Sequence, residues 1–175
     1  MATNYELCHA IRDHPELLGI PHNKLDCQAA VEKALSLVGI KVNYRGSNDM
    51  WRHMVHDRYK IDEFRQAYKT LVPGLICFTL RFDGSEKNRG YYDDMGAATH
   101  VGIVLDDNTV FQSASRGTEI INISKTSFNR VAYCDHLDYK RDEESCTQII
   151  QREIEITTAI EKLQETIDIL KGLIV

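Results

Sequence analysis

The sequence has no hydrophobic run long enough to cross a membrane and no surplus of positive charge. A membrane-spanning helix needs about 20 predominantly apolar residues, and the first 14 residues, MATNYELCHAIRDH, lack the apolar core of a signal peptide. The net charge of −5 provides no basic surface for nucleic acid or anionic lipid. We therefore expect a protein that is synthesised in the cytoplasm without a signal peptide, has no membrane span and binds no nucleic acid.

The cysteine pattern argues against a disulfide framework and against a zinc knuckle. The sequence has five cysteines, an odd number, and no two of them form a CxxC pair. Widely spaced cysteines in odd number favour reduced thiols in a cytosolic product. The histidines at positions 9, 14 and 22 also fit no standard spacing of metal ligands. We expect neither a metal nor a cofactor.

What the sequence does contain is helical periodicity first and strand alternation afterwards. Apolar residues recur at helical spacing up to Pro73 and Gly74, and from residue 75 they alternate as in strands. Asp106, Asp107 and Asn108 between two such strands are a hairpin signal. Helices followed by antiparallel strands predict an α+β fold. The predicted helices lie at 5–12, 25–39, around 50–54 and at 61–71, and the predicted strands at 75–82, 99–105, 109–115, 119–123 and 130–136.

The last part of the chain predicts a coiled coil. Isoleucine and leucine recur every seventh residue at positions 149, 156, 163 and 170, with further isoleucines at 160, 167 and 174. This pattern is typical of a coiled coil, so we expect self-association through residues 149–175. An amphipathic helix folded back on its own domain would use the same apolar stripe. The charged run at 140–144 predicts a boundary between a domain at 1–139 and a C-terminal helix at 140–175.

Cys27 lies in the first turn of the predicted helix 25–39, on its apolar face and after Asp26, a favoured N-cap residue. Unpaired N–H groups and the positive end of the helix dipole stabilise a thiolate at such a position and lower the pKa of a cysteine. Cys27 is therefore a candidate nucleophile. A lone cysteine is also common as a small buried apolar residue, so the rest of the chain must decide between the two interpretations.

His100 and Gln112 are the candidate partners of Cys27. If the hairpin loop comprises residues 106–108, Ile103 lies opposite Phe111, and Gln112 shares the face of His100 one diagonal step away. A two-residue loop would place Ser113 there instead; we prefer the first register because it directs Phe111 to the apolar face. A thiol, an imidazole and a polar group that orients the imidazole are the components of thiol acyl transfer.

Four stretches of this chain resemble the motif blocks of the NlpC/P60 cysteine peptidases. They are LDCQA at 25–29, PGLICF at 73–78, HVGIVL at 100–105 and VFQSAS at 110–115. A segment like GSNDMW at 46–51 also recurs in lysins of bacteriophages and prophages of Firmicutes, which this chain is similar to. The resemblance implies a papain-like fold and hydrolysis of an amide bond in the stem peptides of peptidoglycan. By position it implies Cys27 as nucleophile, His100 as base and Gln112 as third residue.

The chain departs from the family pattern in three places. Gln28 replaces the usual small serine after the cysteine, residues 18–22 replace a tyrosine-rich segment, and the third residue is more often histidine in that family. The first two departures affect the contacts with substrate and therefore the choice of bond that is cleaved. The third affects only how the third residue adjusts the properties of the imidazole.

Five residues are candidates for substrate binding. Asp26 would either bind a substrate amine or only cap its helix, and Trp51 would either form a platform for a sugar or stem peptide or lie half-buried. The remaining candidates in the cleft are Asn48, Asp49 and Ser113.

Three functions remain open from the sequence. The first is an endolysin-like endopeptidase, made in the cytoplasm and acting on the cell wall after release. The second is an amidase of the related cysteine-histidine amidohydrolase group, which cuts between muramic acid and L-alanine. The third is a non-catalytic papain-like module that assembles through its coiled coil.

Overall fold

Six antiparallel strands form one sheet in the order β1-β6-β2-β3-β4-β5. The computed structural model describes residues 1–83, 93–140 and 164. The helices are α1 (Asn4–Asp13), α2 (Cys27–Leu37), α3 (Ser47–His53) and α4 (Ile61–Tyr68). The strands are β1 (Val55–Lys60), β2 (Ile76–Arg81), β3 (Ala97–Val104), β4 (Thr109–Ala114), β5 (Gly117–Asn122) and β6 (Arg130–Cys134). The predicted α+β class is confirmed for the described part of the chain.

The chain divides into two units, Met1–Tyr139 and Lys140–Val175. We call the first unit the domain. The predicted coiled coil, and with it self-association through residues 149–175, lies outside the described residues. Among the residues that are described, no helix is both long and apolar enough to cross a membrane.

Strands β2 to β5 follow one another as a meander, whereas β6 returns to the opposite side of β2 and pairs with β1. The sequence pattern does not predict β1. This strand is at the edge of the sheet, and Val55 is its only buried residue, so it lacks the apolar alternation that predicts a strand. A bulge between His56 and Tyr59 further interrupts its pairing with β6.

Apolar clusters cover both faces of the sheet, as the strand alternation predicts. On one face, Val101, Ile103 and Phe111 belong to the same buried cluster as residues of α1, α2 and α3. On the other face, Val104 and Val110 pack in a second cluster with residues of α4 and β6. Alternate residues of β3 therefore belong to different clusters, and the strand is buried on both of its faces.

The hairpin register of β3 and β4 is the predicted one. Ile103 lies opposite Phe111, and Gly102 lies opposite Gln112. The backbone N–H of Leu105 donates to the carbonyl of Thr109 at 2.8 Å, which leaves residues 106–108 as the loop. This register places Gln112 next to His100 and excludes Ser113 from that position.

Candidate active site

Cys27 is the first residue of α2, and the helix begins there because Asp26 caps it. The Oδ1 atom of Asp26 accepts a hydrogen bond from the backbone N–H of Ala29 at 2.8 Å, as expected of an N-cap carboxylate. Asp26 is exposed, so its capping role is confirmed, and its binding of a substrate amine remains a prediction.

The thiol of Cys27 lies against β3 at Val101, the residue after His100. The backbone N–H of Val101 donates toward Sγ, as do the N–H groups of Cys27 and Gln28 at the start of α2. Pairing between β3 and β4 extends only as far as Gly102 and Gln112, so the Val101 position of β3 is open to α2. Since Val101 follows His100 in the chain, the candidate nucleophile lies one residue along β3 from the candidate base.

Burial raises the pKa of the Cys27 thiol above its ordinary value of 9.0, and the carboxylate of Asp26 acts in the same direction. The three N–H groups around Sγ lower this pKa but do not outweigh burial. The sequence-based expectation of a lowered pKa is therefore wrong. The helix N-terminus is present as predicted, but the thiol packs against the apolar core, where a thiolate is poorly solvated.

His100 is held on two sides. Its Nε2 atom lies 2.9 Å from the Oε1 atom of Gln112, which confirms the predicted contact between these residues. The imidazole also stacks on the ring of Phe128, with the ring centroids 5.1 Å apart and the planes inclined by 8°. Two contacts of different kinds, one in the plane of the ring and one across its face, determine the orientation of the imidazole.

Gly102 makes room for this stacking. It lies on the same face of β3 as His100, and an added Cβ atom would come within 2.9 Å of the Phe128 ring and 2.7 Å of the Phe111 carbonyl oxygen. Both distances are shorter than ordinary van der Waals contact. The missing side chain at Gly102 thus allows Phe128 to reach the imidazole.

Burial lowers the pKa of His100 below its ordinary value of 6.5. The hydrogen bond with Gln112 raises this pKa, and the nearby His22 lowers it. With the pKa of Cys27 raised and that of His100 lowered, the pair rests at neutral pH as a thiol and a neutral imidazole. The arrangement is suited to general-base activation of the thiol rather than to a preformed ion pair.

A cleft of about 420 Å³ adjoins His100 on the side of β4 and β5. His22, His100, Gln112 and Ser113 line one part of it, and Arg116, Glu119 and Lys125 line another. Cys27 is not among the described residues that line this cleft. Two cations and one carboxylate from the β5 side give it a strongly polar wall.

His22 is in this cleft because the loop before α2 is attached to β5. The N–H of Gly19 donates to the carbonyl of Thr118 at 2.8 Å, and the N–H of Thr118 donates to the carbonyl of Ile20 at 2.9 Å. An added Cβ atom at Gly117 would lie 2.5 Å from the Ile20 oxygen, so glycine is needed for this close approach.

Ser113 positions the loop rather than the imidazole of His100. It is fully buried, and its hydroxyl donates to the carbonyl of Leu25 at 2.5 Å. Its oxygen also lies 3.2 Å from Nδ1 of His22. Because the hydroxyl hydrogen is directed to Leu25, Nδ1 of His22 is the donor in the second contact. Ser113 therefore links β4 to the segment that carries His22 and Cys27.

The predicted placement of Asn48, Asp49 and Trp51 in the cleft is not found. Trp51 is 4% exposed; its indole packs edge-to-face on Phe78 and donates to the carbonyl of Met95 at 3.0 Å. No open aromatic face is left for a sugar or a peptide. Burial of the large apolar ring at the α3–β2 contact accounts for this position.

Asn48 and Asp49 stabilise α3 instead. Asn48 is 2% exposed, and its Oδ1 atom accepts from the backbone N–H of Ala98 at 2.9 Å. Asp49 accepts from the backbone N–H of Arg45 at 2.9 Å. Since Ser47 also donates to the carbonyl of Ala98 at 2.9 Å, the segment 46–51 attaches α3 to the start of β3 and so supports the position of His100.

Phe128 and Glu119, which contact His100 and Gln112, are not predicted from the sequence, nor are the cleft residues His22, Arg116 and Lys125. Phe128 lies in an irregular segment between β5 and β6, and no local pattern predicts its contact with His100. Glu119 is directly opposite Gln112 in the β4–β5 hairpin, and its Oε1 atom accepts from Nε2 of Gln112 at 3.0 Å. A two-residue loop at Ser115 and Arg116 would have predicted that pairing.

The described residues contain no group of three or more histidine, cysteine or acidic side chains arranged to hold a metal ion. No family model matches the chain, and no curated protein matches it at a significant level.

Proposed function

We propose that the domain is a papain-like cysteine hydrolase that cleaves an amide bond in the stem peptides of peptidoglycan. The observation that carries the proposal is the arrangement around Val101. The thiol of Cys27, at the start of α2, lies against the Val101 amide, and the preceding residue, His100, is oriented by Gln112 at 2.9 Å. Nucleophile, base and orienting group come from three elements, α2, β3 and β4, and converge on His100 and Val101 of β3.

The reaction would proceed by general-base activation. Nε2 of His100 donates to Gln112, which leaves the lone pair of Nδ1 to take the thiol proton of Cys27 as Sγ attacks the carbonyl carbon of the substrate. Sγ–C bond formation gives a tetrahedral intermediate with a negative oxygen. The backbone N–H groups of Cys27 and Gln28, at the positive end of α2, would stabilise this charge.

The two following steps restore the enzyme. His100 returns the proton to the leaving amine as the C–N bond breaks, which gives a thioester on Cys27. Water then attacks the thioester carbonyl, with His100 again taking and returning one proton, and the carboxylic acid product leaves. No residue changes its oxidation state, and the net reaction consumes one water molecule.

The choice of substrate is supported by the resemblance of four stretches of the chain to the three motif blocks of the NlpC/P60 peptidases and by the polar cleft beside His100. Peptidoglycan stems carry free carboxylates, and Arg116 and Lys125 in the cleft wall offer charges of the opposite sign. An endolysin-like role, in which the protein is made in the cytoplasm and reaches the wall after release, belongs to the same proposal.

The proposal is tested by measuring muropeptide release from purified walls. Cys27→Ala and His100→Ala should each reduce release to background, and the double variant should be no worse, because nucleophile and base act as a unit. Cys8→Ala is the matched control, since Cys8 is a buried thiol in α1 bonded to the Val104 carbonyl at 3.5 Å; it should remain active.

Mass spectrometry of the products distinguishes the proposed peptidase from a muramoyl-L-alanine amidase, because only the amidase leaves the whole stem peptide free of sugar. A folded Cys27→Ala protein that still releases muropeptides would overturn the proposal. Unchanged circular dichroism spectra establish that each inactive variant is folded.

A further inference from the structure

We propose that Glu119 is a positioning residue that sets the tautomer of His100 by fixing the direction of the Gln112 amide. The inference rests on the proposed function, because it concerns the lone pair on Nδ1 that would accept the thiol proton. It assigns a role in the reaction to a side chain that touches neither the nucleophile nor the base.

The three side chains form a continuous row across the sheet. Gln112 and Glu119 are directly opposite each other in β4 and β5, and Nε2 of Gln112 donates to Oε1 of Glu119 at 3.0 Å. On its other side, Oε1 of Gln112 lies 2.9 Å from Nε2 of His100. Gln112 is only 5% exposed, so solvent does not compete strongly for either end of its amide.

The direction of the amide follows from the chemistry of Glu119. The two ends of a glutamine amide are nearly equal in size, so packing alone does not distinguish its two orientations. An ionised carboxylate accepts hydrogen bonds and donates none. The NH₂ group of Gln112 must therefore face Glu119, and its carbonyl oxygen must face His100.

This direction determines which imidazole nitrogen carries the proton. Oε1 of Gln112 is an acceptor, so Nε2 of the neutral His100 must be protonated, and its Nδ1 atom then holds the lone pair. In the opposite orientation the NH₂ group would face His100. Nε2 would become the acceptor, Nδ1 would carry the proton, and the imidazole could not take a proton from Cys27 through that atom.

Arg116 lies beside this row but is not needed for it. Its guanidinium is 3.3 Å from the other carboxylate oxygen of Glu119, and its side chain is 74% exposed. An ion pair of that exposure contributes little. Removing Arg116 therefore changes the charge near Glu119 while leaving the acceptor for Gln112 in place, which makes it a matched control.

The test is ¹⁵N NMR of the imidazole nitrogens at a pH where His100 is neutral, with its signals assigned by their loss in His100→Gln. The wild-type protein should show a single tautomer with the proton on Nε2. Glu119→Leu removes the acceptor and should give a mixture of tautomers. If the leucine variant does not fold, Glu119→Ala takes its place with the same expected result. The same variants should lower kcat about two- to ten-fold with little change in KM.

Two further variants separate a positioning role from a merely structural one. Glu119→Gln keeps the size and polarity of the side chain but can present either an oxygen or an NH₂ group to Gln112, so it should give a mixture of tautomers although packing is preserved. Arg116→Gln leaves the carboxylate in place and should keep the single Nε2-protonated tautomer. A single Nε2-protonated tautomer in folded Glu119→Leu would overturn the inference. The NMR result does not require turnover, so an inactive wild-type protein would overturn the proposed function without deciding the role of Glu119.

Discussion

Gly102→Ala should impair both the stability of the domain and the action of His100. The added methyl group would lie 2.7 Å from the Phe111 carbonyl oxygen, 2.9 Å from the Phe128 ring and 3.2 Å from Sγ of Cys77. To reach ordinary contact at 3.4 Å, the Phe128 ring must withdraw by at least 0.5 Å. This ring is the one that stacks on His100.

Two opposing effects set the change in the free energy of unfolding. Alanine restricts the unfolded chain more than glycine does, which stabilises by about 0.4–1 kcal/mol where the backbone conformation is compatible. Overpacking a closely packed core costs about 1–3 kcal/mol, and a strand carbonyl cannot easily move. We expect a net loss of about 1–2 kcal/mol. In a chain of 175 residues this corresponds to a decrease in Tm of about 2–8 °C.

The effect on catalysis should exceed what this loss of stability explains. A misplacement of about 1 Å at a catalytic group costs up to about 100-fold, and we expect kcat for muropeptide release to fall about 10- to 100-fold in Gly102→Ala. Gly39→Ala is the matched control. Gly39 follows the C-terminal end of α2 at φ +79° with nothing within 4 Å of its Cβ position, so alanine there costs about 1–2 kcal/mol of backbone strain far from Cys27.

Thermal unfolding and steady-state kinetics of the two variants decide the point. Comparable decreases in Tm, with a loss of kcat only in Gly102→Ala, support the role of the Phe128 stacking. Equal kcat values in the two folded variants would refute it, and a Gly102→Ala protein more stable than the wild type would refute the close approach itself.

The remaining predictions concern ionisation and assembly. Asp26→Asn keeps the helix cap but removes the carboxylate that raises the pKa of Cys27. Iodoacetamide should therefore alkylate Cys27 faster at neutral pH, and an unchanged alkylation rate, measured by peptide mass spectrometry, would contradict this prediction. The acidic limb of the pH profile of kcat/KM should lie below pH 6.5, because burial and His22 lower the pKa of His100. His22→Gln should shift this limb to higher pH, and a limb that does not move would exclude an influence of His22. Light scattering should show an oligomer for the full chain and a folded monomer after truncation at Tyr139, and a monomeric full chain at micromolar concentration would refute the coiled coil.

Local pattern was sufficient to predict the elements that carry the candidate catalytic residues. The apolar stripe of α2, with Asp26 before it, predicts both the helix and its start. The period of two in β3, together with the loop at 106–108, predicts the register that brings Gln112 to His100. These inferences succeed because helix caps, strand alternation and short hairpins depend on residues close together in the chain.

The surroundings of these residues depended on contacts between distant segments. The pKa of Cys27 is governed by burial against β3, and no local pattern states how deeply a helix end is buried. Trp51 lies in the core because it packs on Phe78 and donates to the carbonyl of Met95, and both partners are distant from it in the sequence. Phe128 reaches His100 only because Gly102, on a different strand, leaves the space. The sequence by itself determined which side chains have the chemistry and on which elements they lie, whereas tertiary packing decided their solvation, their orientation and which of them face the cleft.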